Sequence, residues 1–400
     1  PQAPGFRSGA RAGESETVCS VAAHTRSSRP STANTSARQT NRRRPDVTTS
    51  PLATSFSPWA GDVAAARLVP TVNEIGEELG LRIARLLDES ADDLEDLRKA
   101  LGAKQLSLWS ISYGTHLSFA AMRRHPQSIH RVILAGTEGP DHTYKLPSNI
   151  QKHLEDVAAV VQADPTLNKE IPDFLGLMRS VFDRLEKEPA VVEVVDPRTR
   201  QKVKVTVNKF VMQSLVANNI GTDVTAYFPM AFHAASQGDY SFIAEAWLSR
   251  GSSGVGSAMS YMMDCASGIT SGRSEQIKRE AANTLLADFS NYPYPQVCEA
   301  WKAPDLGDTF RTPLRSQIPV LFISGTLDAR TPVSNAEEYR AGFPSSTHLI
   351  IEGAVHSDPL FLSSPKIKDV MLEFLKGQPV STTKITLAPF KFVPLKRAQP

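Results

Sequence analysis

The chain has 400 residues, of which 41% are hydrophobic and 22% charged, and its formal net charge is +2. That composition suits a folded globular protein with one large core or two smaller ones. The near-neutral charge gives no global pull toward nucleic acid or an acidic membrane, and no apolar run approaches the roughly 18 residues a spanning helix needs. Neither a nucleic-acid nor a membrane partner is expected. Residues 1–50 contain no apolar segment of the kind a signal peptide requires, and the chain opens on Pro1; compartment and oligomeric state stay open. Three cysteines are too few for a disulfide scaffold. For Cys265 and Cys298 two readings stay open, a disulfide or two free thiols, and Cys19 is read as a tail residue without a role.

In chain order, residues 1–60 are rich in Ser, Thr, Arg and Pro and read as a disordered basic tail, because so few large apolar side chains cannot offset the entropy of ordering. The run Arg42–Arg44 is read as solvated. From about residue 70 the pattern turns helical, and Ala91–Leu101 (ADDLEDLRKAL) places Leu94, Leu97 and Leu101 on one stripe, stopped by Gly102. Gln105–Ser112 then reads as a strand, residues 115–124 as a helix and Arg131–Thr137 as a second buried strand. Strand, helix and strand at this spacing make a βαβ unit, so the sheet is expected to be parallel. The alternation returns with a strand at Pro319–Thr326, a helix at Pro332–Ala341, a strand at Thr347–Gly353 and an amphipathic helix at Lys366–Lys376. The expected architecture is therefore α/β. It has a parallel-sheet core over 61–140 and 316–378, a mostly helical lid inserted at 141–315 with a β-like patch at Val191–Val207, and tails at 1–60 and 379–400.

The sharpest local feature is Ser110-Ile111-Ser112-Tyr113-Gly114, where the predicted strand gives way to the predicted helix. A serine on such a turn is held in a strained backbone with its hydroxyl exposed above the sheet. The residues two before and two after must be small; Gly114 fits, and Ser110 stands where glycine is usual. The Tyr113 backbone N–H is then an oxyanion donor, helped by the positive end of the following helix.

A serine hydroxyl needs a base to take its proton, and the base needs an acid to fix its tautomer. Asp328 follows the strand 319–326 and His356 follows the strand 347–353, so serine, acid and histidine come in the order this fold class uses. In a parallel sheet all three emerge at one edge. The other reading of each, an aspartate capping a helix or a histidine on the surface, is weakened by this joint agreement. His116, His125 and His130 are read as structural or surface groups, and His348 opens a strand.

These residues carry a resemblance. Ala-Asp-Asp-Leu-Glu-Asp-Leu-Arg before the elbow, Ser-Tyr-Gly-Thr at it, Gly-Thr-Leu-Asp-Ala-Arg-Thr-Pro (325–332) and Glu-Gly-Ala-Val-His (352–356) are similar to the α/β-hydrolases related to proline iminopeptidase and tripeptidyl aminopeptidase, the TAP-like branch. The resemblance covers roughly residues 85–376 and implies a lidded serine hydrolase working through an acyl-enzyme. Its substrate is a small ester or a short peptide cleaved at its amino-terminal end, and no cofactor is implied. It further implies carboxylates that bind the free amino terminus of a peptide, with Glu138, just past the strand 131–137, and Asp264, in the lid, as candidates; each is otherwise an ordinary loop carboxylate. Phe228, Met230, Tyr261, Met262 and Met263 are read as helical core packing rather than as a pocket lining.

One departure stands out. Members of this family carry a His-Gly-Gly-Pro-Gly-like turn that gives a second oxyanion donor, and residues 1–104 contain no match. The early strands are expected to be absent and the amino-terminal part missing or replaced. A lost donor costs about 3 kcal/mol of transition-state stabilisation, so impaired activity is expected, and a carboxylesterase or a non-catalytic binding scaffold are the alternative readings. No metal signature is present: no HExxH, no CxxC pair, no clustered histidines.

Overall fold

The computed structural model describes residues 17–21, 86–250 and 258–395. The expected tail with Arg42–Arg44, apart from 17–21, and the start of the helical pattern near residue 70 lie outside the described residues.

Among the described residues the centre is a parallel sheet in the order β1-β2-β3-β6-β7-β8, built from β1 (Thr17–Val21), β2 (Leu106–Ser112), β3 (Ile129–Thr137), β6 (Val320–Gly325), β7 (Ser346–Glu352) and β8 (Lys384–Thr386). The central strands are apolar on both faces because helices cover both. Side chains alternate between two cores. Val132, Leu134, Val320 and Phe322 join the cluster under helices α1 (Leu86–Ala100), α2 (Tyr113–Arg124) and α13 (Val333–Arg340); Ile133, Ala135, Leu321 and Ile323 join the one under the helix Pro365–Leu375. Phe322 is fully buried, so truncating it to alanine is expected to cost about 3–5 kcal/mol.

The inserted region has its own core, which includes Leu154, Met178, Phe182, Leu185 and Phe232. It comprises α3 (Pro147–Ala163), α4 (Pro165–Glu170), α5 (Phe174–Lys187), α6 (Lys209–Asn219), α7 (Phe228–Ser236), α8 (Ser241–Arg250), α9 (Ala258–Ser267), α10 (Ser271–Ala281), α11 (Gln296–Trp301) and α12 (Gly307–Arg311). The β-like patch is an antiparallel hairpin of β4 (Ala190–Val195) and β5 (Lys202–Val207). Phe228, Met230 and Met262 are buried, while Tyr261 is half-buried against the rings of Tyr294 and Trp301. Cys265 of α9 and Cys298 of α11 form a disulfide.

Three expectations need correction. Thr17–Val21, read as part of a disordered tail, pairs in parallel with Leu106–Ser110, and Cys19 sits opposite Leu108 in that strand. The expected stripe of α1 is wrong at two positions, since Leu97 and Leu101 are 42% and 53% exposed. The helix instead turns Leu87, Ala91 and Glu95 inward, and Glu95 holds the Arg98 guanidinium, whose Nη1 bonds Ala103 O. Finally, part of the stretch 379–400 belongs to the fold: β8 adds an edge strand to β7, and Phe392 and Leu395 pack on the core of the insertion.

The register sets the functional edge. Val21 pairs with Ser110, Ser112 with Thr137, and Gly325 with Ile351. The carboxyl ends of β2, β3, β6 and β7 therefore share one rim, which is where ligands bind in sheets of this kind.

Candidate active site

β2 ends and α2 begins without a loop between them, and Ser112 takes the whole turn with φ 53° and ψ −127°. A non-glycine residue there stores about 1–3 kcal/mol of strain, which the surrounding hydrogen bonds hold in place. Thr115 Oγ1 donates to Ser112 O at 2.6 Å and accepts from the Glu138 N–H at 2.7 Å, fastening the elbow to the end of β3. Ser110 is accommodated in place of glycine because its hydroxyl has partners: it donates to Ile133 O at 3.2 Å and accepts from Ser118 Oγ at 2.9 Å. The backbone N–H groups of the first turn of α2, from Tyr113 onward, have no intrahelical acceptor, and the Ser112 side chain does not cap them.

His356 bridges the other two groups, with Nε2 3.0 Å from Ser112 Oγ and Nδ1 2.8 Å from Asp328 Oδ2. An ionised carboxylate only accepts, so Nδ1 carries the proton and Nε2 is left to accept from the serine. Asp328 is 2% exposed. Its Oδ1 accepts from the Arg330 and Thr331 N–H groups, both at 2.9 Å, and its Oδ2 accepts from Thr331 Oγ1 at 2.7 Å as well as from His356. Four donors thus replace the water this buried carboxylate has lost.

Gly136, with φ +55°, leaves room for this arrangement from the β3 side. A Cβ there would stand 2.8 Å from Thr331 Oγ1 and 3.3 Å from His356 Cε1. Any side chain would push on the threonine and the imidazole together.

The two candidate carboxylates meet different fates. Glu138 pairs with Lys145 Nζ at 2.7 Å. Burial alone would push its carboxyl up, but the Lys145 ammonium, with lesser pulls from His116 and Arg330, holds it below the ordinary value. Asp264 accepts from the Tyr294 hydroxyl at 2.5 Å and forms no ion pair among the described residues. Burial raises its carboxyl to about 6; the Tyr294 hydrogen bond opposes this and the charge of Glu138 reinforces it. Both carboxylates also act on the Tyr113 phenol, which burial pushes up.

The rival histidines are engaged elsewhere. His116 lies between Gly139 O and Ser267 Oγ, His125 bonds Asp92, and His348 lies between Glu337 and Ser324. The sequence reading missed Thr331, Gly136, Lys145 and Tyr294. Thr331 alone had a local signal, since a threonine following an aspartate at this offset is a common side-chain-to-backbone turn.

Residues 21–215 match the family model described as alpha/beta hydrolase fold, and residues 256–382 match the one described as TAP-like protein. A search of curated proteins found no match. Similar solved structures include an esterase from Thermogutta terrifontis, with 15% identity over 73% of this chain and 72% of that one at a TM-score of 0.30. An acetylester hydrolase from Corynebacterium glutamicum has 15% identity over 70% and 63% at 0.29, and an esterase from a Rhodococcus species 15% over 72% and 72% at 0.30. Superpositions of this quality add nothing to the two family matches. The chain belongs to the α/β-hydrolase superfamily, on its TAP-like branch.

Proposed function

We propose that this hydrolase works by nucleophilic serine catalysis on small esters or short peptides, with Ser112 as nucleophile, His356 as base and Asp328 as orienting acid. The observation that carries this reading is the imidazole of His356, 3.0 Å from the Ser112 hydroxyl on one side and 2.8 Å from the Asp328 carboxylate on the other. Ser112 Oγ attacks the substrate carbonyl as its proton passes to His356 Nε2, and Asp328 stabilises the imidazolium. The tetrahedral oxyanion takes the Tyr113 backbone N–H and the field of the α2 amino terminus. When the carbonyl re-forms, the C–N or C–O bond breaks and the leaving group takes the proton from Nε2. A water, deprotonated by the same nitrogen, then attacks the acyl-Ser112 ester. Its collapse releases the acid and returns the proton to Ser112.

Within this reading the protein takes peptides by their free amino terminus, and Asp264 is the carboxylate that receives the ammonium. Glu138 already carries the Lys145 ammonium, whereas Asp264 has none. A second reading, a carboxylesterase with no need of an amino terminus, is favoured by Lys145, whose ammonium already neutralises Glu138. Proline or dipeptide anilides assayed beside short nitrophenyl esters separate the two: the peptidase reading expects Asp264→Asn to weaken anilide cleavage and leave ester cleavage intact. A third reading, a fold that binds without turnover, is favoured by the unmatched oxyanion turn upstream of β2. Labelling by a fluorophosphonate excludes it.

A further inference from the structure

His153 and Gly221, both in the insertion, are linked to both triad loops. Gly221 follows α6, where Asn219 O is held by the Thr222 N–H at 3.2 Å and the Thr222 hydroxyl at 2.7 Å. The Gly221 carbonyl accepts the backbone N–H of His356 at 2.7 Å. Its φ is +70°, and a Cβ there would stand 2.2 Å from the backbone nitrogen of Ala329, the residue after Asp328. The contact is not incidental, since Ala329 is 1% exposed and belongs to the core of the insertion rather than to either core of the sheet. From the other side, the Gly221 N–H donates to His153 Nε2 at 3.3 Å.

His153 is 4% exposed. Its Nε2 accepts, so the ring proton sits on Nδ1, and no described protein group accepts from that nitrogen. A buried polar group left unmade costs stability, and a hydrophobic residue would avoid the cost. What the imidazole supplies in return is an acceptor for Gly221. Burial keeps the ring neutral, lowering its pKa to about 4 against the pull of Asp328 and Asp156, with Lys152 adding to the lowering.

We propose that His153 and Gly221 are positioning residues for the hydrolase reaction: the imidazole of His153 fixes Gly221, whose carbonyl and missing side chain fix the backbone of His356 and of the Asp328 loop. The insertion then does more than cover the site, because part of the base's geometry is built from it. Any substrate, short or long, depends on this seat. The inference rests on the serine-triad reading above.

The test counts competent sites by fluorophosphonate titration, then measures kcat per competent site and KM with a short nitrophenyl ester and a peptide anilide. His153→Phe keeps a ring but offers no acceptor. For both substrates kcat per site is expected to fall at least tenfold with KM within twofold. His153→Gln places an amide oxygen the same number of bonds from Cβ as Nε2 and is expected to recover most of the loss. His153→Leu, smaller than the imidazole, carries the same expectation as Phe should Phe not fold. If the apolar variants lower only the melting temperature or the number of titrated sites, each remaining site turning over at the wild-type rate, His153 is a packing residue and the proposal is overturned. If His153→Gln is as slow as His153→Phe, the acceptor is not what matters and it is likewise overturned. A wild type in which Ser112 is not labelled removes the triad reading, and this inference with it.

Discussion

The hydroxyl of Thr331 stands 2.7 Å from Asp328 Oδ2, the same oxygen that takes the proton-bearing nitrogen of His356. It also lies 3.1 Å from that nitrogen. The threonine therefore holds the acid in the plane where the base meets it. Thr331→Val keeps the shape and removes the donor. A hydrogen bond to a charged group is worth about 2 kcal/mol, which corresponds to roughly 30-fold in kcat if the carboxylate then swings away from the imidazole. Steady-state kinetics on an activated ester check this, with KM expected to stay close to the wild type.

Ser110 occupies a place where glycine is usual, yet its hydroxyl is fully used by Ile133 O and Ser118 Oγ. Ser110→Gly should therefore leave the elbow and the turnover intact while orphaning the buried Ser118 hydroxyl. The expected cost is about 1–2 kcal/mol of folding stability, read by urea denaturation. Ser110→Val adds bulk where β2 and α2 crowd together and should remove both stability and activity.

The raised carboxyl of Asp264 gives a pH signature with a definite sign. Its folded pKa, about 6, lies above the ordinary value, so the folded state binds the extra proton and gains stability as pH falls through 6. Above that pH the buried charge is a burden. Asp264→Asn, which still accepts from Tyr294, should melt higher than the wild type at pH 8, with the difference shrinking as pH drops below 6. If Asp264 receives a substrate ammonium, KM for free-amino peptides should rise as pH falls through the same range, while KM for neutral esters stays flat. Melting curves and initial rates at pH 5, 6, 7 and 8 give both readouts.

The pairing of Cys265 with Cys298 closes a loop of 33 residues inside the insertion. A loop of that length is worth about 3–4 kcal/mol on the chain-entropy account. Of the three cysteines in the chain, one should react with a thiol reagent under denaturing, non-reducing conditions and all three after reduction. Cys298→Ser should lower the melting temperature of the whole protein or split off a separate, earlier transition of the insertion.

Much of this architecture is legible in the sequence, for identifiable physical reasons. Arg131–Thr137 and Pro319–Thr326 read as strands because a parallel sheet covered on both faces makes continuous apolar runs. The places of Ser112, Asp328 and His356 followed from strand ends, since a parallel sheet collects such ends on one rim. Leu97 and Leu101 misled because spacing gives the period of a helix but not which side meets a neighbour; α1 docks on α2 through Ala91 and Leu87. Thr17–Val21 and Lys384–Thr386 are too short to show any periodicity, and their strand character comes from pairing with β2 and β7. Lys145, Tyr294 and Gly221 carry no local signal at all. Lys145 and Tyr294 meet Glu138 and Asp264 only through the folding of the loops and helices between them, and Gly221 meets His356 only where the insertion packs on the sheet.

The most direct test of the account is fluorophosphonate labelling followed by peptide mapping. The wild type should carry one adduct, on Ser112, and His356→Ala should slow its formation by about three orders of magnitude or more. Labelling of wild type and His356→Ala at equal rates, or an adduct on any residue other than Ser112, would contradict it.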